Sequence, residues 1–208
     1  MRVVNTADME PLKTSTVVCL WYFDGVHRGH LALLEDAKRL ARERGLLVCV
    51  HALDRSPAQA LHPERRIIQL TTPAEKERLF EAAGCDILAV SPFDDRVRHM
   101  PGGVFFSDVL LGSLNARAIV TGDDHRFGFK GDTGSEELCL LCERAGVALS
   151  VVPRVTLADG TVISSSVIRE ALRAGDLARA EEMLGRPVSP DMLEGCAERG
   201  QERQGRTL

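Results

Sequence analysis

Two short runs in this sequence combine residue types that can manage phosphate. The first, Phe23-Asp24-Gly25-Val26-His27-Arg28-Gly29-His30, overlaps the end of an apolar stretch at Val17 to Phe23. Two glycines permit a tight turn and close backbone approach, and a helix opening there offers unpaired N–H groups and a positive dipole to an anion. His27 and His30, three apart, can then face the same phosphates, as neutral donors or as imidazolium ions. In that position they can stabilise charge that builds on an α-phosphate and on departing pyrophosphate, with no covalent intermediate. That chemistry is nucleotidyl transfer. The plainer alternative makes both histidines surface residues or part of a helix cap, and the glycines and the strand-to-helix setting weigh against it.

The second run is Ile163-Ser164-Ser165-Ser166-Val167-Ile168-Arg169, at the start of a helix predicted over 167 to 173. One serine could simply be the N-cap. None has Glu or Gln three residues on, as a capping box requires, and Ser166 has Arg169 there instead. Three hydroxyls and a guanidinium at a helix N-terminus suit a polyphosphate. Two anion sites at helix starts in one chain imply a triphosphate held between them, at the carboxyl ends of parallel strands.

Short apolar runs place strands near 16–22, 47–52, 87–91, 117–121 and 148–152. Helices are expected near 30–44, 73–83, 103–112, 135–145, 167–173 and 177–184, the second opened by Thr72 as N-cap, Pro73 and a capping-box Glu75. Alternation of this kind predicts an α/β fold: a Rossmann-like, doubly wound, mostly parallel sheet of five strands. The longest irregular connection, Asp54 to Thr71, is the candidate substrate loop. The chain has 208 residues, with 26 basic side chains against 30 acidic, so the cationic excess of a nucleic-acid binder is missing. No apolar run approaches the ~20 residues of a membrane span. Six scattered cysteines suit reduced thiols, which places the protein in the cytoplasm. Cys139 and Cys142 form a lone CxxC, with Cys142 on an apolar stripe that also holds Leu138, Leu141 and Ala145. That is better read as helix packing than as a metal site.

Four passages together carry a resemblance: FDGVHRGH, ISSSVIR, Leu70-Thr71-Thr72-Pro73-Ala74-Glu75-Lys76, and Gly122-Asp123-Asp124-His125-Arg126-Phe127-Gly128. Pro92-Phe93-Asp94 and Leu184-Gly185-Arg186-Pro187 add to it. In this order they resemble the adenylyltransferase module of bacterial FAD synthetases, the bifunctional riboflavin kinase/FMN adenylyltransferases, within the HxGH nucleotidyltransferase superfamily. The similarity covers about residues 14 to 188.

The resemblance implies one nucleotidyltransferase domain over 1–188, a polar tail over 189–208, and no riboflavin kinase domain, so that a separate kinase would supply FMN. It implies transfer of AMP from ATP to FMN, giving FAD and pyrophosphate, with Mg²⁺ accompanying ATP. ATP would lie on Phe23, Asp24, Gly25, His27, Gly29, His30, Ser164, Ser165, Ser166 and Arg169, and FMN on Pro57, Asp124 and Phe127. His27, His30, Asp124 and Arg169 would be catalytic, with Asp124 a possible Mg²⁺ contact. On composition alone Asp124 is better read as a turn residue, and Phe127 could line the flavin pocket or pack in the core.

One departure falls at the nucleotide site and two on the acceptor side. Where the family has Gly-x-Phe-Asp-Gly, this chain has Trp21-Tyr22-Phe23-Asp24-Gly25, placing its one Trp and one Tyr at the mouth of the nucleotide site. Trp21 could stack on adenine, block the usual pose, or simply pack. The Phe-x-Pro-His-Pro turn reads Leu53-Asp54-Arg55-Ser56-Pro57, and His125 replaces a Phe. Two other readings therefore stay open: AMP transfer to another phosphorylated acceptor, and a catalytically weakened nucleotide-binding protein. Oligomeric state is not legible.

Overall fold

A computed structural model describes residues 1–62, 64 and 67–193. Six strands form one parallel sheet: β1 (Arg2–Asn5), β2 (Thr16–Leu20), β3 (Leu47–Leu53), β4 (Ile87–Ser91), β5 (Ala116–Gly122) and β6 (Ala148–Val152), in the order β1-β4-β3-β2-β5-β6. Five match the sequence reading, and β1 was missed. With four residues, one of them buried, β1 has too little apolar pattern to announce itself, and its pairing along β4 is what makes it a strand.

The helices are α1 (Arg28–Arg44), α2 (Pro57–Leu61), α3 (Pro73–Ala82), α4 (Asp95–Arg98), α5 (Gly102–Val104), α6 (Ser135–Ala145), α7 (Ser165–Ala174) and α8 (Leu177–Leu184). The sheet is doubly wound, as expected. On one face Leu33, Leu34 and Ala37 of α1 and Phe80 of α3 pack on Val17, Cys19, Val48 and Val50. On the other, Phe105, Phe106 and Leu110, with Leu138 and Cys142 of α6, cover Val18, Leu20, Cys49 and Ile119. The helix expected near 103–112 is α5 continuing into a π-helix over Phe105–Ser113, where Leu114 N–H reaches back to Val109. Buried Phe106, Leu110 and Leu114 are spaced by four, and the wider turn keeps them on one side. Ala145 is exposed, so the α6 stripe is narrower than expected.

Thr72 caps α3 as read, accepting the Glu75 N–H at 3.2 Å. The capping box is only half formed, because the Glu75 carboxylate turns toward Arg186, 3.7 Å away. A third core cluster joins α7 and α8 to Leu70, Leu157 and Ile163. It includes Met192, 1% exposed, so packing runs past the expected boundary at 188. The rest of the expected tail, 194–208, lies outside the described residues.

The strand order reverses at β2, whose sheet neighbours are β3 and β5. Crevices open at the carboxyl ends of strands at such a switch point; the histidine run leaves β2 there, and the serine run is brought beside it where the Ser165 hydroxyl donates to the Asp24 carbonyl.

Candidate active site

The turn after β2 is strained and tied down from several sides. Gly25 has φ +89°, and a Cβ there would lie 3.0 Å from Leu70 Cδ1. Val26 follows at φ +39°, a β-branched residue in left-handed backbone. Asp24 is the anchor: its Oδ1 accepts the Leu70 N–H at 2.9 Å, its Oδ2 the Arg169 guanidinium, and its carbonyl the Ser165 hydroxyl at 2.8 Å. Thr71 Oγ1 accepts the Gly25 N–H at 3.2 Å, and Arg186 donates to the Gly25 and Val26 carbonyls at 2.7 and 3.1 Å. Segments 46 to 161 residues away in sequence thus converge on one turn and hold its shape.

His27 is the N-cap residue of α1, and its ring stacks on His30 at 3.6 Å with 20° between planes. His30 is enclosed in turn by Phe23, edge-on at 5.1 Å. A Cβ at residue 29 would sit 3.1 Å from the His27 ring, so Gly29 leaves that ring its place. His27 Nδ1 and both ring nitrogens of His30 are buried without a hydrogen-bond partner among the described residues. Burial, then Arg186 and Arg169, pushes His27 down to about 4, and burial, then His27 and Lys76, holds His30 well below the usual imidazole range. Of the two protonation states left open by sequence, the neutral one is favoured. Neutral rings still present N–H donors, and the surrounding cations supply a field that attracts a polyanion.

Ser164 caps α7, accepting the Val167 N–H at 3.3 Å, so the helix begins two residues before the expected 167. Arg169, expected at the phosphates, borders the first cavity but is already engaged by the protein: it is 9% exposed, its Nε donates to the Ile68 carbonyl at 2.7 Å, and its Nη2 is bound to Asp24.

Two cavities meet at this end of the sheet. The first, of about 450 Å³, takes wall from His27, Gly29, His30, Ser164–Ser166, Arg169 and the exposed Asp124. Phe23, Asp24 and Gly25, expected to touch ATP, stand behind that wall as its supports, because the turn buries them against Leu70, Arg169 and Phe80. The second cavity, of about 480 Å³, is mainly apolar and includes Pro57 and Phe127, with Phe93, Phe105 and Phe129. Asp124, grouped with them by sequence, faces the first cavity instead. Residues from the Asp54–Thr71 connection border both cavities: Ser56, Ala58 and Ile67 the first, Pro57 and Leu61 the second.

Trp21, Tyr22, His125 and Arg126 line both cavities and so form the partition between them. Trp21 stacks, tilted by 32°, on His125 at 4.9 Å, and its ring lies so close over Gly122 that a Cβ there would come within 2.4 Å. Two departures from the family pattern, distant in sequence, are therefore one contact. Sequence reasoning missed Arg186, Lys76 and His51. The first two sit inside motifs quoted for the resemblance, whereas His51 reads as an ordinary position within an apolar strand.

The sequence model of the FAD synthetase family matches residues 9–167. The chain belongs to the FAD synthetase family. The family match takes in the histidine turn and the serine run and ends just before Arg169. The chain is 34% identical over 195 residues to the bifunctional riboflavin kinase/FMN adenylyltransferase of Escherichia coli (strain K12), covering 92% of this chain and 60% of that protein. It is 33% identical over 186 residues to a putative bifunctional riboflavin kinase/FMN adenylyltransferase of Geobacillus thermodenitrificans (strain NG80-2), covering 89% of this chain and 98% of that one. Among solved structures, a protein titled macrolide-efflux protein from Streptococcus pneumoniae superposes with a TM-score of 0.81 at 30% identity, over 90% of this chain and 61% of that one. Pantoate-beta-alanine ligase from Francisella tularensis shares the fold, with a TM-score of 0.55 at 12% identity, over 86% of this chain and 78% of that one. The chain thus spans about 60% of the length of the Escherichia coli relative.

Proposed function

We propose that this chain transfers AMP from ATP to FMN, giving FAD and pyrophosphate. The observation that carries the reading is the pair of cavities meeting at one partition, one lined by the histidines and serines and the other by apolar and aromatic side chains. ATP occupies the first, its triphosphate over the start of α1 and against Ser164–Ser166 at the start of α7. FMN occupies the second, its ring among Pro57, Phe127 and their neighbours, its phosphate toward the partition. An FMN phosphate oxygen attacks the α-phosphorus, the bond from that phosphorus to the bridging oxygen breaks, and pyrophosphate leaves with the electron pair. His27 and His30 donate to phosphate oxygens as charge moves onto them, a stabilisation largest in the transition state. Arg169 acts mainly by holding Asp24, and thereby the turn.

Mg²⁺ fits this arrangement as a companion of ATP. Among the described residues no group of three or more His, Cys, Asp or Glu side chains could hold a metal, and Asp124 is a carboxylate on the first cavity. One carboxylate oxygen with substrate phosphates and water is a common Mg²⁺ ligand set. The ion would neutralise charge on the departing pyrophosphate.

The test is incubation of the purified chain with Mg-ATP and FMN and identification of products by mass. FAD and pyrophosphate in equal amounts are expected, and their absence together with AMP transfer to a different phosphorylated acceptor would overturn the acceptor assignment.

A further inference from the structure

The second cavity holds a residue that neither composition nor motif singled out. Its walls draw on four of the chain's seven Phe side chains, with Trp21 and Tyr22. Such a surface favours the faces of a flat ring. Two imidazoles line it, His125 stacked on Trp21 in the partition and His51 away from that stack. His51, on β3, is 3% exposed, packs edge-on against Phe105 at 5.1 Å, and shares a hydrogen bond between Nε2 and Ser91 Oγ at 2.8 Å. Ser91 Oγ is in turn 2.6 Å from Thr6 Oγ1. This relay runs across the carboxyl ends of β3, β4 and β1 and fixes the ring's orientation. Burial pushes His51 down to about 4, so it is neutral at pH 7. With Nε2 committed to Ser91, Nδ1 is the nitrogen left for an occupant. An apolar pocket with a few convergent polar groups is the usual form of a specific ligand site, in which those groups set orientation.

We infer that His51 is a specificity-determining residue of the second cavity, where its Nδ1 makes one hydrogen bond to the edge of a planar heteroaromatic ring carrying a carbonyl beside an N–H. Either tautomer of His51 serves such an edge, donating to the carbonyl or accepting from the N–H. The isoalloxazine of FMN has an edge of this kind, so the inference rests on the acceptor assignment above and adds the residue that reads it. His51 touches the acceptor far from the transferring phosphate, so it affects acceptor binding and leaves the ATP side alone.

The experiment measures binding of FMN and of N3-methylated FMN by flavin fluorescence without ATP, and the KM for ATP in turnover. His51→Gln carries an amide that reaches the Nε2 position and keeps the Ser91 bond, while removing Nδ1. Wild type should bind FMN about tenfold more tightly than the methylated analogue, the size of one neutral hydrogen bond in a dry site. His51→Gln should lose about that factor for FMN, discriminate little between the two flavins, and keep its KM for ATP within about twofold. FMN binding by His51→Gln within twofold of wild type, or equal losses for FMN and ATP, overturns the inference. If His51→Gln does not fold, Ser91→Ala decides, since it leaves the imidazole but removes its orienting hydroxyl: weakened FMN binding with unchanged KM for ATP supports the inference, and unchanged FMN binding overturns it. A wild type that neither binds nor adenylylates FMN sinks the acceptor assignment itself. One that does both, with no effect at His51, sinks this inference alone.

Discussion

At the residue scale, the decisive groups are the stacked imidazoles of His27 and His30. Their place was legible because glycine and histidine in FDGVHRGH are types whose backbone freedom and donor chemistry are local properties. Their stacking, and the neutrality it accompanies, were not, because they depend on Phe23 packing against His30 and on the charges of Arg186 and Lys76 that folding brings near. His30 is 1% exposed, so truncation to alanine would mix a packing loss with a chemical one. His30→Asn, which keeps a donor-bearing side chain but shortens its reach, separates them. It should lower kcat for AMP transfer by about 100-fold, the usual effect of losing one such donor, with native circular dichroism retained. A variant within threefold of wild-type kcat would make His30 a packing residue.

At the scale of elements, the loop carrying Asp24 and helix α7 are joined by an ion pair between residues 145 apart. No local pattern could announce that contact. Arg169 looked free in sequence because its partner lies on another element. Removing one member of a buried pair leaves the other charge without compensation, so Arg169→Ala should cost about 3–5 kcal/mol in denaturant unfolding. Asp24→Asn added to it should recover part of that loss, and a double variant no more stable than Arg169→Ala would disprove the coupling. The partition offers a second test. Gly122→Ala places a methyl within 2.4 Å of the Trp21 ring, so it should destabilise the fold by about 1–3 kcal/mol and shift the emission of the chain's one tryptophan. Trp21→Leu in the same background should relieve the strain, as melting temperatures would show. β1 and the π-helix were likewise beyond sequence reading, one made by pairing along β4 and the other by packing of Phe106, Leu110 and Leu114.

At the scale of the whole molecule, several buried neutral imidazoles make stability depend on acidity. His27 and His51 are held at about 4 and His125 at about 3, against about 6.5 in an unfolded chain. The unfolded state therefore binds more protons from about pH 6.5 down to about 4 for His27 and His51 and about 3 for His125. Stability from these rings is fully present above that range and drains away as pH falls through it. Urea midpoints should decline from pH 7 to pH 4.5, and His125→Phe should show a shallower decline; identical slopes would exclude His125 as a contributor. The doubly wound architecture was legible in alternating strands and helices, since β2 to β6 each carry an apolar run of their own. How the two cavities share a wall was not, because it depends on rings brought together from β2 and β5. That shared wall has a thermodynamic consequence. Any shift of Trp21 and His125 made by one occupant is felt by the other, and linkage is reciprocal: the factor by which bound nucleotide changes flavin affinity must equal the factor by which bound flavin changes nucleotide affinity.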